Sequence, residues 1–445
     1  MSKKSFRFFI AILSLGLITG ACQARQTEDG SFNVPQSPLL AALESKVGLI
    51  AYVGTDGNIY TMNQAGSDVI GITIDAAPGE EVFRVYSLVR WSPDSQKLAF
   101  VGFTGEGRAA ISNATLTNTR VFTAERNGTN QKELFTSPNA LPVNLGWAPD
   151  GASLALMTTN TYGDYLVLRQ IPIDGGEAQV LDTGPTLYWD WGPAGDRLLI
   201  HAGTAASVRP DSRLAFLHLG ERIVEEGLQQ PPAFFQTPAF SPTGSQMLVF
   251  IETDSGEGQL VIADMNGETE QVLETFTGSA GFDWSPDGRY VAYAMSEIPN
   301  FISFGPLTVF DTQEPTAARI VSPEDSVLAF FWSPDASRLL YFLPAFGEDE
   351  EGNQSLVGLN ANILERESGE SRELFSFTPT QEFFNLLTNY DQYQRVMTVW
   401  SPDSANVVLP VQINGGSILI VAQVEADFAP RGLEPGILAT WSWGE

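Results

Sequence analysis

A five-residue phrase, recurring at near-regular intervals, constrains this chain more than any other feature. Its fullest form starts at Trp284 and reads W-S-P-D-G, followed by the strand-like run R-Y-V-A-Y. Ser285 takes the first position of a turn. Pro286 presets φ at the second, Asp287 sits at the third, and Gly288 accepts the left-handed conformation that returns the chain antiparallel. The phrase therefore reads as strand, tight turn, strand. Close copies start at Trp91, Trp147, Trp332 and Trp400, and weaker ones at Trp191 (W-G-P-A-G) and Phe240 (F-S-P-T-G). Successive starts lie 56, 44, 49, 44, 48 and 68 residues apart. A unit of four short antiparallel strands takes about 40–50 residues, so each interval holds one unit, and two hold insertions as well.

The segments inside the intervals agree with one another. After the turn comes an apolar strand (97–101, 338–342), then a strand ending in a polar turn (120–128, 260–267), then a short outer strand (132–135, 271–274). Over roughly residues 48–445 this pattern resembles the TolB-type propeller repeat, also found in the propellers of prolyl-oligopeptidase and dipeptidyl-peptidase-IV-like enzymes. The expected fold is all-β, an eight-bladed β-propeller of four-stranded antiparallel blades. Seven blades come from the phrases. The eighth is composite, with residues 48–63 supplying middle strands and 436–443 the missing inner one, so that strands from both ends close the ring and remove its exposed edges. Seven blades is the alternative if the degenerate segment after Ile413 forms none. TolB-like proteins take part in envelope assemblies, so the resemblance implies a binding or scaffold role outside the cytoplasm. Propellers host unrelated activities, and the repeat alone does not choose among them.

The N-terminus has the layout of an export signal. Lys3, Lys4 and Arg7 precede an apolar run at 8–18, which is too short for a stable membrane span. Thr19-Gly-Ala-Cys22 then places small residues before the only cysteine in the chain. This resembles a bacterial lipoprotein signal in which Cys22 is lipidated; a plain secretory signal cleaved nearby is the alternative. The expected organisation is a signal at 1–21, a polar tether at 22–46 and the propeller at 47–445. The expected location is extracytoplasmic, on the periplasmic side or at the cell surface, with the membrane reached through the lipid alone. One cysteine permits no internal disulfide, so blade packing must carry the stability.

Fifty-three acidic against 24 basic residues, a net charge of −29, argue against a nucleic-acid partner. The only histidines are His201 and His218, both in strand regions of blade four, where structural roles are commoner than catalytic ones. No G-x-S-x-G elbow occurs, and the histidine-rich metal site of propeller lyases lacks its ligands. No cofactor is expected. Asp190 and Asp283 each precede a motif Trp, and strand alternation turns them to the opposite face of the innermost strand. There they either line the channel or bond the backbone of a nearby turn. A carboxylate pair at the channel mouth, in a carbohydrate- or peptide-processing enzyme, is the second functional reading. The run at 348–353 offers oxygens for calcium but lacks the alternating spacing of an EF-hand loop, and reads better as a solvated charge run.

Long irregular segments at 102–118, 202–211, 228–237, 296–305, 344–355 and 376–394 collect on the face opposite the Trp turns, the B–C/D–A face if strands run A to D outward. They carry Phe234, Phe235, Phe301, Phe304, Phe346, Phe383, Phe384, Tyr390 and Tyr393. These aromatics either pack back over the blade ends or form a surface for a protein or small-ligand partner. Residues 383–393 suggest a short helix capping the channel mouth. As a pure binding loop, 376–394 should be replaceable without loss of the fold.

Overall fold

The computed structural model describes residues 48–443, apart from 108–114, 298–302, 349–353 and 426–427, together with a short pairing of Arg25–Gln26 with Phe32–Asn33. Cys22, Phe301 and nearly all of the 348–353 run lie outside the described residues. Eight antiparallel blades form a ring, which makes the protein an eight-bladed β-propeller. Blade one is the composite: Gly436–Trp441 is its inner strand and pairs with Ile50–Gly54, Ile50 facing Trp441. Blades two, three and four begin on Val82–Trp91, Pro142–Trp147 and Leu187–Trp191. Blades five, six and seven begin on Ala239–Phe240, Ser279–Trp284 and Ala329–Trp332. Blade eight does form after Ile413. Asn406–Ile413, Gly416–Gln423 and Arg431–Gly432 pair in order, and Trp400 bridges Val407 at the inner position.

The repeated phrase is stapled by its own side chains. Ser285 Oγ donates to Asp287 Oδ1 at 2.5 Å and accepts from the Tyr290 amide at 2.8 Å, while the Arg289 amide donates to Asp287 Oδ1 at 3.1 Å. The same bonds recur at Ser92/Asp94, Ser333/Asp335 and Ser401/Asp403. The motif serine and aspartate thus satisfy turn amides that the tight reversal leaves unpaired. Gly288 has φ 72°, and where glycine is absent Ser95, Ala336 and Ser404 take the same left-handed conformation.

Packing is between blades. Buried clusters join blades one and two, two and three, three and four, four and five, and five and six. A larger cluster joins six, seven and eight, and another returns from eight to one. The motif tryptophans add a polar link in part of the ring. The indoles of Trp91, Trp147 and Trp400 donate to the carbonyls of Thr440, Arg90 and Phe331, each the residue before the motif aromatic of a neighbouring blade. Trp191, Trp284 and Trp332 are buried too, yet their indole N–H groups make no such bond among the described residues. Trp400→Phe is therefore expected to destabilise more than Trp284→Phe, by about 0.5–1.5 kcal/mol, the net worth of one hydrogen bond. Equal denaturation midpoints for the two variants would refute this link.

Two segments expected to be irregular are strand over most of their described residues. Lys97–Glu106 pairs with Thr115–Glu125, and Arg338–Glu348 with Gln354–Glu365, so the described parts of 102–118 and 344–355 mostly extend B–C hairpins. The β-branched run Thr115, Thr117 and Thr119 favours that extension.

Candidate functional site: a plugged channel with two mouths

The segment between blades seven and eight fills the centre of the ring. It comprises helices α1 (Gln381–Thr388) and α2 (Tyr390–Tyr393) and a 3-10 turn at Gln394–Val396. Thr380 starts α1, its hydroxyl oxygen accepting from the Phe383 amide at 3.3 Å while its O–H donates to the Ile437 carbonyl of blade one at 2.7 Å. On the far side, Asn144 Nδ2 donates to the Gln392 carbonyl at 2.8 Å, and the Tyr393 hydroxyl to the Val143 carbonyl at 2.9 Å. The inner strands make room for it. A Cβ at Gly281 would come within 3.3 Å of Tyr390, and one at Gly146 within 3.2 Å of Val396.

The centre of this plug is Arg395. Its guanidinium lies 3.0 Å from Asp190 on blade four and 3.1 Å from Asp283 on blade six. Both carboxylates also accept backbone amides: Asp190 that of Phe240 at 2.8 Å, Asp283 that of Trp284 at 2.9 Å. Burial pushes the Asp190 carboxyl up to about 6 and raises Asp283 as well, with Arg395 pulling both back. The side chains are 13%, 26% and 18% exposed for Asp190, Asp283 and Arg395. They remain partly open to solvent although surrounding atoms remove most of their hydration. Arg90 occupies the matching place in blade two, before Trp91, and is also buried, with burial lowering it to about 10.

Each end of the plugged channel has its own cavity. On the Trp-turn face a funnel of about 370 Å³ runs between the motif tryptophans and Trp443 down to the Asp190–Arg395–Asp283 cluster. On the opposite face a groove of about 320 Å³ is lined by Tyr188, Phe234, Phe235, Phe304, Tyr390 and Asp391, among others. Burial raises Asp391 to about 6, opposed by a hydrogen bond from the Tyr188 hydroxyl and by the Gln392 amide. Behind Tyr188, His201 is fully buried, and that burial holds it down to about 4 and so neutral near pH 7. Its Nδ1 lies 3.1 Å from the Gln236 carbonyl. His218 is at the surface, 2.8 Å from Glu226. Among the described residues no group of three or more His, Cys, Asp or Glu is placed to hold a metal ion.

The aromatic residues singled out in the sequence divide in three. Phe234, Phe235, Phe304 and Tyr390 converge on the groove. Phe383 is buried edge-on against Phe342, Phe384 packs on the same core, and Tyr393 is tied to blade three. Phe346 is 62% exposed on the blade-seven hairpin and does not line the groove. Tyr390 is itself 3% exposed, tilted against Phe330 at 4.9 Å and edge-on to Phe331 at 5.7 Å. Phe383 and Tyr390 thus spend their surface inside the ring. The expectation that 376–394 is a dispensable loop is corrected here, because removing it would empty the channel and take away the helices that hold Arg395 between Asp190 and Asp283. Arg395 went unnoticed in the sequence, where its one signal is that it is the only base between Arg372 and Arg431.

No family model matches the chain, and no curated protein matches it either. Among solved structures it is similar to dihydro-heme d1 dehydrogenase NirN, with a TM-score of 0.54 at 13% identity over 89% of this chain and 75% of that one. It also matches TolB from Acinetobacter baumannii, with a TM-score of 0.38 at 12% identity over 73% of this chain and 79% of that one. The β-propeller domain of the Trilobed protease from Pyrococcus furiosus gives 0.45 at 12% identity, over 79% and 98%. At these identities the likeness extends to the fold alone: the chain is a β-propeller, with TolB structures among its neighbours.

Proposed function

We propose that this protein is an extracytoplasmic, lipid-anchored propeller that binds a protein partner through the groove opposite the Trp turns. The observation that carries the reading is the convergence of Phe234, Phe235 and Phe304 on one groove beside Asp391. Phe234 and Phe235 meet edge to face at 4.7 Å, and both are only half-buried. Such pairs suit an apolar side chain inserted by a partner, with a polar group of the partner answering Asp391. The export signal and Cys22 support the location, and the acidic surface favours a basic partner.

Two variants test the two halves of the reading. Phe234→Ala combined with Phe235→Ala should fold, yet lose at least 30-fold in capture of its partner from solubilised membranes, as an anchor worth about 2 kcal/mol implies. Unchanged capture overturns the groove. Cys22→Ser should leave the membrane fraction or remain unprocessed, and normal processing with unchanged partitioning overturns the anchor. The enzyme reading draws on the meeting of Asp190 and Asp283 in one cavity. Arg395 bridges them, however, so the two carboxylates are tied to one cation and are not a free acid–base pair.

A further inference from the structure

The funnel on the Trp-turn face is a second cavity, separate from the groove of the proposed partner. Its floor combines two carboxylates with one guanidinium, and several of their hydrogen-bonding positions are unused. Arg395 Nε and Gln394 Oε1, buried atoms of two residues that line the cavity, make no hydrogen bond among the described residues. Asp190 Oδ2 and Asp283 Oδ1 carry the carboxylate contacts to the guanidinium and to backbone amides. Asp190 is also approached by the Trp191 amide, so Asp283 Oδ2 is the carboxylate oxygen that remains as an acceptor. The floor therefore offers both acceptors and a donor. On the rim stands Trp443, 41% exposed and fixed by its indole N–H donating to the Trp400 carbonyl at 2.8 Å. The other tryptophans of the wall are buried, so Trp443 alone among them has ring surface to give.

We infer that this funnel binds a neutral sugar ring, its hydroxyls bonded to Asp283, Gln394 and Arg395 and one face laid on Trp443. A hydroxyl both donates and accepts, so one ligand class answers both kinds of unused group. An organic cation would satisfy the carboxylates and leave the guanidinium N–H without an acceptor. A uronate or sugar phosphate would meet a floor with one more negative group than positive, on a chain of net charge −29. The C–H face of a pyranose carries slightly positive hydrogens, which suit the negative face of an indole. About 370 Å³ lies within the usual range for small-ligand pockets.

The test uses the full chain, titrated by calorimetry and saturation-transfer NMR with glucose, galactose, N-acetylglucosamine and their disaccharides. Tetramethylammonium and galacturonate form the two contrasting arms. At least one neutral sugar should bind, shield the exposed tryptophan from acrylamide quenching, and lose at least tenfold in affinity in Trp443→Ala and in Asp283→Asn. If either variant fails to fold, the shielding of Trp443 in the unaltered protein decides. Binding of the ammonium or the uronate in preference to every neutral sugar overturns the assignment. So does the absence of sugar binding at about 100 mM, a hundredfold above a 1 mM dissociation constant, or binding that leaves Trp443 unshielded. Partner capture at the opposite face should be unaffected by both variants, so a failure here leaves that reading standing.

Discussion

Arg395→Ala should be among the most destabilising single substitutions in this protein, lowering stability near pH 7 by about 3–5 kcal/mol. The variant leaves Asp190 and Asp283 in the channel with their shared cation gone. Arg209→Ala is a fitting control, because Arg209 pairs with Asp211 on the surface, where both are well exposed. Such a pair contributes about 0–1 kcal/mol. The defect in the channel variant should depend on pH, and its sign follows from the direction of the carboxyl shifts. Asp190 and Asp283 have folded values above their unfolded ones, so the folded state holds their protons more tightly. Their contribution to stability is fully present below about 4 and is lost as pH rises through the folded values. Without Arg395 both values rise further, so the loss grows towards neutrality and shrinks in acid. Melting curves of variant and parent should therefore converge as pH falls from 7 towards 4. A gap that stays constant across that range would show that Arg395 acts through packing and not through charge.

Deleting residues 436–445 should be more damaging still. Trp441 is fully buried, and truncation of a core tryptophan costs about 3–5 kcal/mol by itself. The deletion also strips Ile50–Gly54 of its inner neighbour and removes the Thr440 carbonyl to which Trp91 donates. It releases the plug as well, since Thr380 bonds the Ile437 carbonyl. An open ring then presents unpaired strand edges, so aggregation is the expected form of failure. A truncated protein that stays monomeric and melts with the parent would refute closure as the main source of stability.

Much of this architecture was legible in the chain because it is carried by local chemistry repeated many times. Ser285, Pro286, Asp287 and Gly288 specify their turn without help from distant residues, and alternation from Trp191 and Trp284 sends Asp190 and Asp283 inward. Blade closure was legible because residues 48–63 and 436–443 each lack what the other supplies. The plug was not. Its helical tendency could be read, but nothing in Phe383 or Tyr390 says whether an aromatic residue faces solvent, a partner or a channel. That choice depends on Gly146 and Gly281, two inner-strand positions far away in sequence that leave space for it. Arg395 escaped for the same reason: its partners are 205 and 112 residues away in the chain, and no local pattern announces them.

The position of the plug also sets an order of events during folding. Asp190 and Asp283 belong to blades that are complete well before the chain reaches Arg395, so an early arc of blades must hold two unneutralised carboxylates at its concave edge. Such an arc keeps its centre wet, because water is the only available solvent for those charges. Drying of the axis, arrival of the cation and pairing of Gly436–Trp441 with Ile50–Gly54 all await the last blade. Closure is then a long-range step, costly in chain entropy, that converts a hydrated arc into a closed ring. The charge cluster at the axis acts as a late checkpoint, satisfied only when every blade is in place.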